Sequence, residues 1–277
     1  MRKSVQKIQQ FKNNKKITML TAYDFSTARY IDEAGVDMIL VGDSLAQVVL
    51  GYENTTAISM NEMKIFVSAV SRGVQNALLV SDMPYGSFNI SVEETTKNAI
   101  ELIKAGANAV KIEGCSDLAV KTIKHLTQIG IPVMGHLGFT PTAINGLGGH
   151  KVQGKDAQKT IGLLDEALKL QEVGCFAVVL EMVPAQSAKY ITQKLDIVTI
   201  GIGAGVDCDG QVLVSDDILG KYDRFQPKFA RRYADLKDII LKSAQNYCRD
   251  VETSAFPTVE ESFMLSDEEI EKLESYK

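Results

Sequence analysis

The sequence predicts a single-domain (β/α)8 TIM barrel with a helical extension at its C-terminus. Short aliphatic segments alternate with longer segments of helical spacing, and no linker rich in proline, glycine or serine separates them. The aliphatic segments are apolar throughout, which is typical of parallel strands covered on both faces. A length of 277 residues suits one barrel of this kind.

Eight strands are predicted, at residues 17–23, 38–43, 77–82, 109–114, 132–138, 176–183, 197–205 and 211–217. Helix boundaries support the alternation: Ser91, with Glu94 three residues later, is typical of a helix start, and Gly106 of a helix end. Asp156 and Gly174 mark another helix in the same way. An open doubly wound sheet is the competing fold, because the sequence does not reveal whether the strand order reverses.

Two predicted loops are unusually long, residues 44–59 after strand two and residues 139–155 after strand five. Both follow the carboxyl ends of strands, where barrel enzymes place their active sites. We assign residues 1–250 to the barrel with a short basic lead-in. Residues 251–277 form an acidic extension, with a helix expected from Ser266, that covers the barrel or reaches a neighbouring subunit.

The composition argues against several classes of function. The net charge is −5, from 35 acidic and 30 basic residues, and no basic face for nucleic acid is evident. Residues 1–16 contain no apolar core for a secretory signal, and no apolar segment approaches the roughly 20 residues that cross a bilayer. Four widely spaced cysteines indicate reduced thiols. We therefore expect a cytoplasmic protein that acts on small molecules and binds neither nucleic acid nor membrane.

Ionisable residues lie near the same end of five consecutive strands. They are Asp43, Asp82, Lys111 with Glu113, His136 and Glu181. Late positions of barrel strands converge on one mouth, and charges there are seldom buried without a partner or a metal ion. Lys111 and Glu113 also share one face of their strand, because side chains alternate along it. The pattern predicts one shared site.

Most of these residues also have a structural explanation. Asp43 and Asp82 could each cap the helix that follows. Lys111 and Glu113 could form an ion pair on a solvated strand edge, and His136 could be a core histidine with satisfied hydrogen bonds. The shared site is favoured because these explanations would have to apply independently to successive strands.

Three of the carboxylates, Asp43, Asp82 and Glu113, come from adjacent strands and would repel one another unless a cation lies between them. Oxygen ligands favour a hard divalent ion, and Mg²⁺ keeps positions open for water or substrate. Zinc is not expected, because no cysteine or histidine cluster has suitable spacing. Separate, solvated carboxylates are the alternative.

Eight short motifs run in order along nearly the whole chain: TAYD (21–24), LVGDSL (40–45), VKIEG (110–114), GHLGFTP (135–141), GGHKVQG (148–154), LEMVP (180–184), IGIGAG (200–205) and DGQVLV (209–214). Taken together they resemble the motifs of the ketopantoate (3-methyl-2-oxobutanoate) hydroxymethyltransferase family of pantothenate biosynthesis. One position departs from the resemblance: Ala46 stands where many members have glycine. The added methyl group should alter loop packing at the rim.

The resemblance implies a one-carbon transferase with the barrel fold. Its reaction would transfer a hydroxymethyl group from 5,10-methylenetetrahydrofolate to 3-methyl-2-oxobutanoate through an enolate, giving ketopantoate and tetrahydrofolate. Asp43, Asp82 and Glu113 would bind one Mg²⁺ per subunit, and Glu181 would be the proton acceptor. The residues that would bind the keto acid are Asp43, Ser44, Asp82, Lys111 and His136.

The resemblance also implies a homodecamer of two pentameric rings, with C-terminal segments reaching between subunits. The nearest alternative is another Mg²⁺-dependent 2-oxo-acid enzyme, a lyase or mutase of the phosphoenolpyruvate mutase or isocitrate lyase type. A non-catalytic barrel that binds a metabolite or serves as a scaffold is a second alternative. It would have no need for both three clustered carboxylates and Glu181.

Overall fold

Eight parallel strands close into a barrel in sequence order, so that the first strand pairs with both the second and the eighth. This computed structural model describes residues 1–143, 146, 149 and 151–276, so part of the predicted loop 139–155 lies outside the described residues. The strands are β1 Ile17–Thr21, β2 Met38–Val41, β3 Leu78–Asp82, β4 Ala109–Glu113, β5 Val133–Gly138, β6 Ala177–Glu181, β7 Val198–Ile202 and β8 Gly210–Leu213. The closed order confirms the predicted barrel and excludes the open sheet.

Helices follow the strands around the barrel. Those in the described part of the chain are α1 Val5–Gln9, α2 Phe25–Glu33, α3 Leu45–Val48, α4 Met60–Gly73, α5 Val92–Lys104, α6 Asp117–Gln128, α7 Ala157–Glu172, α8 Ala185–Lys194, α9 Ser215–Ile218, α10 Leu236–Glu252 and α11 Asp267–Ser275. The predicted caps are confirmed: Ser91 Oγ accepts from Glu94 N at 3.1 Å, and Asp156 Oδ1 accepts from Lys159 N at 2.8 Å. These bonds satisfy amide groups that a helix start leaves unpaired.

Two apolar cores result from the alternation of side chains along the strands. One set, which includes Val110 and Ile112, packs between the sheet and the helices. The other set fills the barrel interior, and Val80, Ala109, Met134 and Val179 belong to it. Two residues further along each of these strands, the same inward row continues with polar side chains, namely Asp82, Lys111, His136 and Glu181. The barrel is therefore apolar at its centre and ionic at its carboxyl mouth.

The basic N-terminal residues that precede β1 close the end of the barrel opposite the carboxyl mouth. Ile8 of α1 is fully buried and packs in the interior core. Arg2 donates hydrogen bonds to the carbonyl oxygens of Val74 and Gly106, which precede β3 and β4. Lys12 forms an ion pair of 2.8 Å with Asp209, which precedes β8. These contacts leave the carboxyl mouth as the end that can receive a ligand.

The C-terminal helices contribute nothing to either core. Neither α10 nor α11 contains a buried residue, although α11 begins at its predicted cap, where Ser266 accepts from Glu269 N. Large apolar side chains along this segment are exposed, among them Ile239, Phe263 and Leu273. The four cysteines are free thiols, as predicted. In the described part of the chain, no helix has the length and apolar character needed to span a membrane.

Candidate active site

The register of the sheet brings the predicted ionic residues together in pairs. Asp82 of β3 is the direct neighbour of Lys111 on β4, and Glu113 is the direct neighbour of His136 on β5. Lys111 Nζ lies 3.0 Å from Asp82 Oδ1 and 3.7 Å from Glu113 Oε1. Lys111 and Glu113 are only 5% and 8% exposed, so the solvated-edge explanation is wrong.

His136 links two carboxylates across the mouth. Its Nδ1 lies 3.3 Å from Glu113 Oε1, and its Nε2 lies 3.2 Å from Glu181 Oε2. Lys111 Nζ is 3.1 Å from the same Nδ1, so a neutral ring can accept from Lys111 while Nε2 faces Glu181. Burial and the Lys111 charge lower the pKa of His136, but the close carboxylates of Glu113 and Glu181 outweigh them and leave it raised. His136 is thus part of the ionic cluster and not an isolated core histidine.

Asp43 and Asp82 are buried beside each other and do not cap helices. The backbone amide of Asp43 donates to Asp82 Oδ2 at 2.9 Å. Helix α3 has Ser44 at its cap position, without a side-chain capping bond, and α5 is capped by Ser91. The capping explanation is therefore wrong for both aspartates, and their carboxylates remain available at the mouth.

The electrostatics of the mouth are strongly perturbed by burial. Burial raises the pKa of Asp43 well above its usual range, and the nearby charges of Asp82 and Glu113 raise it further. Burial also raises the pKa of Asp82, despite the opposing effect of Lys111. For Lys111, burial lowers the pKa, but the surrounding carboxylates more than offset this and raise it. Burial raises the pKa of Glu113, but the close contact with His136, the Lys111 charge and the hydrogen bond from Thr142 prevail and bring it to about 2.

The donor set suits a hard cation, although the described residues do not form a complete metal-binding cage. Among the described residues, no group of three or more histidine, cysteine, aspartate or glutamate side chains is arranged as a metal site. Asp82 Oδ1 is nevertheless buried and, despite its ion pair with Lys111, accepts no hydrogen bond. Gly42 leaves space between Ser44 and Asp82, because a Cβ there would lie 2.9 Å from Ser44 Oγ and 3.5 Å from Asp82 Oδ2. Mg²⁺ fits this arrangement, since it normally retains several water or substrate ligands.

Charge balance supports the same fit. The mouth brings together four acidic side chains and two basic ones. The acids are Asp43, Asp82, Glu113 and Glu181, and the basic residues are Lys111 and His136. Such an acidic cluster would repel an anionic substrate unless further positive charge were present. A divalent cation would supply that charge.

Three features of the site were not predicted from the sequence. Tyr23, buried just after β1, has its hydroxyl 2.8 Å from Ser44 Oγ. Thr142 donates from its amide and its hydroxyl to Glu113 Oε2, at 3.0 and 2.5 Å. Met182 follows Glu181 with a φ of 50°, a left-handed conformation that is costly for a residue with a side chain. Only Tyr23 had a usable signal, because it ends predicted strand one in the way that the other site residues end theirs.

Comparison with known proteins identifies a single family. Residues 2–259 match the sequence model of the family described as ketopantoate hydroxymethyltransferase. The 3-methyl-2-oxobutanoate hydroxymethyltransferase of Nitrosopumilus maritimus (strain SCM1) is 47% identical over 274 residues, which cover 99% of this chain and 98% of that protein. The enzyme of the same name from Thermosipho africanus (strain TCF52B) is 50% identical over 260 residues, covering 94% of this chain and 98% of that protein.

Solved structures share the fold at much lower identity. Phosphonopyruvate hydrolase, crystallised in complex with oxalate and Mg²⁺, has a TM-score of 0.61 at 10% identity and covers 98% of this chain and 94% of its own. 2,3-Dimethylmalate lyase, of the phosphoenolpyruvate mutase/isocitrate lyase superfamily, has a TM-score of 0.58 at 12% identity, with 98% and 97% covered. These similarities concern the barrel fold alone.

Proposed function

Since this chain belongs to the ketopantoate hydroxymethyltransferase family, we propose that its barrel mouth transfers a one-carbon unit from 5,10-methylenetetrahydrofolate to 3-methyl-2-oxobutanoate. Membership makes the chain a 3-methyl-2-oxobutanoate hydroxymethyltransferase, an enzyme of pantothenate synthesis. The proposal concerns the donor, the metal ion and the part played by each residue. The observation that carries it is the buried cluster in which His136 lies between Glu113 and Glu181, with Lys111 beside it.

Asp43, Asp82 and Glu113 would hold one Mg²⁺ per subunit. Support comes from the buried Asp82 Oδ1, which has an ion pair with Lys111 but no hydrogen bond, from the space left by Gly42 and from the excess of carboxylates at the mouth. When bound, the ion would act as a Lewis acid on the keto acid. Phosphonopyruvate hydrolase, which shares the fold, was crystallised with Mg²⁺ and the small dicarboxylate oxalate, and this adds support by analogy.

Lys111 and Ser44 would bind the oxygen atoms of the keto acid. Lys111 remains charged at neutral pH because its pKa is raised, and it is held in place by Asp82 at 3.0 Å. Ser44 is held by Tyr23 at 2.8 Å. Asp43, Asp82 and His136 would complete the wall around the substrate. Positive charge near the ketone oxygen favours electron withdrawal from C3 and so makes the C3 hydrogen more acidic.

Glu181 would remove the C3 proton. Its side chain is 15% exposed, whereas the side chain of His136 is 1% exposed, so Glu181 can exchange the proton with water. The electrons of the broken C3–H bond move to the ketone oxygen, which gives an enolate next to Lys111. C3 then forms a bond to the methylene carbon of the folate while the bond from that carbon to N10 breaks, and N10 takes up the proton that Glu181 removed. Water displaces N5 from the same carbon, so that its oxygen becomes the hydroxyl group, and tetrahydrofolate leaves with the proton from water on N5.

Deuterium exchange tests this proposal without the folate. The enzyme with Mg²⁺ in D₂O should replace the C3 hydrogen of 3-methyl-2-oxobutanoate, as followed by proton NMR, and a chelator should stop the exchange. The reaction of a lyase or mutase of the phosphoenolpyruvate mutase type on this compound would not require C3 exchange. No exchange by an enzyme that binds the keto acid would refute the proposed mechanism.

We further propose that the chain assembles as a homodecamer of two pentameric rings, with residues 251–277 lying between subunits. Support comes from α10 and α11, which have no buried residue and expose large apolar side chains. A cytoplasmic location is part of the same proposal and is supported by the four free thiols.

A further inference from the structure

A cavity opens beside the proposed keto-acid site. Its volume is about 270 Å³, and Glu113 and Thr142 form part of its wall. The other walls include Tyr85, Phe88 and Leu118, from the β3–α5 loop and the start of α6. Glu113 also contacts Lys111 and His136, so the cavity adjoins the groups that would surround the reacting carbon.

The chemistry of the walls favours a neutral, flat ring. Tyr85 is 51% exposed, whereas Phe88 is buried, so an aromatic face and an apolar floor are both available. Among the described residues of the lining, the acid Glu113 is the one ionic side chain. A carboxylate or phosphate group would therefore be repelled, whereas a ring with N–H donors would not.

The cavity is preformed and not a gap in a loose loop. The β3–α5 loop is tied by Asn98 Nδ2, which donates to the carbonyl of Ser87 at 2.9 Å, and by Gly86 N, which donates to Asn89 Oδ1 at 3.0 Å. Thr142 is fixed by its two bonds to Glu113 Oε2. The volume is slightly below the roughly 300 Å³ at which pockets begin to enclose a whole drug-sized ligand. It suits one bicyclic ring and not an entire folate.

We propose that this cavity holds the pterin ring of the one-carbon donor, with Tyr85 stacked on the ring and the anionic glutamate tail outside. The assignment rests on the proposed function, because the occupant is the folate of that reaction. The ring end of a folate carries the methylene group, so this orientation brings the transferable carbon toward Glu113 and the enolate. The opposite orientation would bring the tail carboxylates against the Glu113 carboxylate.

The test compares two reactions of the same variants. Tyr85→Ala should raise the KM for 5,10-methylenetetrahydrofolate about tenfold, the scale of one aromatic stacking contact. Leu118→Trp, which fills the cavity, should raise this KM further, and Tyr85→Phe should stay close to the unsubstituted enzyme. Folate-independent C3 deuterium exchange should remain unchanged in all three. Tyr30→Ala removes an exposed tyrosine on α2 and serves as the control for both reactions.

The possible outcomes distinguish a failure of the cavity assignment from a failure of the proposed function. If Tyr85→Ala and Leu118→Trp exchange deuterium normally and keep the folate KM within about twofold, the cavity does not hold the ring. If C3 exchange falls in the same variants in which the folate KM rises, the cavity belongs to the keto-acid site and the assignment is overturned. If the unsubstituted enzyme shows no exchange, the proposed function fails first, and the assignment fails with it.

Discussion

Glu181 differs from the other ionic residues of the mouth in two respects. Its side chain reaches solvent, and the next residue, Met182, adopts a left-handed conformation although it is not glycine. The carbonyl of Glu181 accepts from Phe139 N at 2.8 Å, and Met182 N donates to the carbonyl of Ile202. The peptide group that follows Glu181 is thereby fixed, so the carboxylate is positioned by main-chain bonds as well as by His136. A strained residue beside a solvent-accessible carboxylate is typical of a catalytic position.

We expect Glu181→Gln to lower C3 deuterium exchange by about 10²–10⁴-fold, the usual contribution of a general base. Keto-acid binding in the presence of Mg²⁺, measured by calorimetry, should change little, because the amide preserves shape. Glu172→Gln, an exposed position at the end of α7, should behave as the unsubstituted enzyme. Normal exchange by Glu181→Gln would eliminate Glu181 as the base.

Tyr23 is expected to position Ser44 and not to act on the substrate itself. Its hydroxyl is 2.8 Å from Ser44 Oγ, and the ring is buried. When Tyr23 donates this bond, the Ser44 proton is free to point at a keto-acid oxygen. Tyr23→Phe should then raise the KM for the keto acid about fivefold with little change in kcat, as expected for loss of one hydrogen bond.

A double-mutant cycle distinguishes positioning from a general loss of stability. Ser44→Ala should raise the keto-acid KM at least as much as Tyr23→Phe, and the double variant should match Ser44→Ala alone. Tyr30→Phe removes an exposed hydroxyl and should have no effect. If Tyr23→Phe weakens binding equally in both backgrounds, Tyr23 acts independently of Ser44.

At the scale of elements, the period of the strands explains why most of the site could be predicted. Lys111 and Glu113 had to share a face because side chains alternate, and the inward row beginning at Ala109 places both in the mouth. The register of one strand against its neighbour could not be predicted from the sequence in this way. Asp82 faces Lys111 because of the register of β3 and β4, which depends on pairing between distant segments.

The contacts that sequence reasoning missed depend on loops and backbone conformation. Thr142 and Glu113 are 29 positions apart in the chain, so no local sequence pattern predicts the hydrogen bond between them. Predicted strand six, 176–183, ends early at Glu181 because Met182 leaves the extended conformation. Predicted strand eight, 211–217, ends at Leu213 because its polar end forms α9. Apolar runs predict which residues are buried better than they predict where a strand stops.

Asp32 connects α2 to the segment that enters β3. Its carboxylate accepts from the backbone amides of Gln75, Asn76 and Ala77 at 2.7 to 3.1 Å. Asp32→Ala leaves these amides without an acceptor, and we expect a loss on the order of 2–3 kcal/mol in the free energy of unfolding at pH 7. Urea unfolding at one fixed protein concentration measures this loss. Glu33→Ala, at an exposed position on the same helix, should cost much less.

The same variant should also show a defined pH dependence. Burial raises the pKa of Asp32, but its hydrogen bonds from the backbone and from Asn76 outweigh burial and lower it below the ordinary value of 3.8. A lowered pKa means that the unfolded chain binds the proton more readily, so the Asp32 contribution is complete above about pH 4. The stability difference between the unsubstituted protein and Asp32→Ala should therefore shrink below that pH. A constant difference down to pH 3 would contradict this explanation.

At the scale of the whole molecule, packing within a single chain does not account for the exposed apolar side chains of the C-terminal segment. Helices α10 and α11 bury no residue, and the exposed fractions of Phe263, Met264 and Leu273 are 105%, 70% and 64%. Monomeric proteins seldom leave so many large apolar side chains in water along one segment. A second copy is the partner that a single purified chain always has available, and closed symmetric assemblies are the usual result.

We therefore expect sedimentation velocity to show a large homo-oligomer for the unsubstituted chain, consistent with the proposed decamer. The triple variant Phe263→Ser, Met264→Ser, Leu273→Ser should shift the distribution to smaller species, because the apolar area lost is what drives association. Its far-ultraviolet circular dichroism should be nearly unchanged, since none of the three residues contributes to the barrel cores. The double variant Glu271→Ser, Glu274→Ser changes exposed positions of α11, the helix that contains Leu273, and should leave the assembly intact. A monomeric unsubstituted chain at micromolar concentration, or a triple variant of undiminished mass, would show that this segment does not hold subunits together.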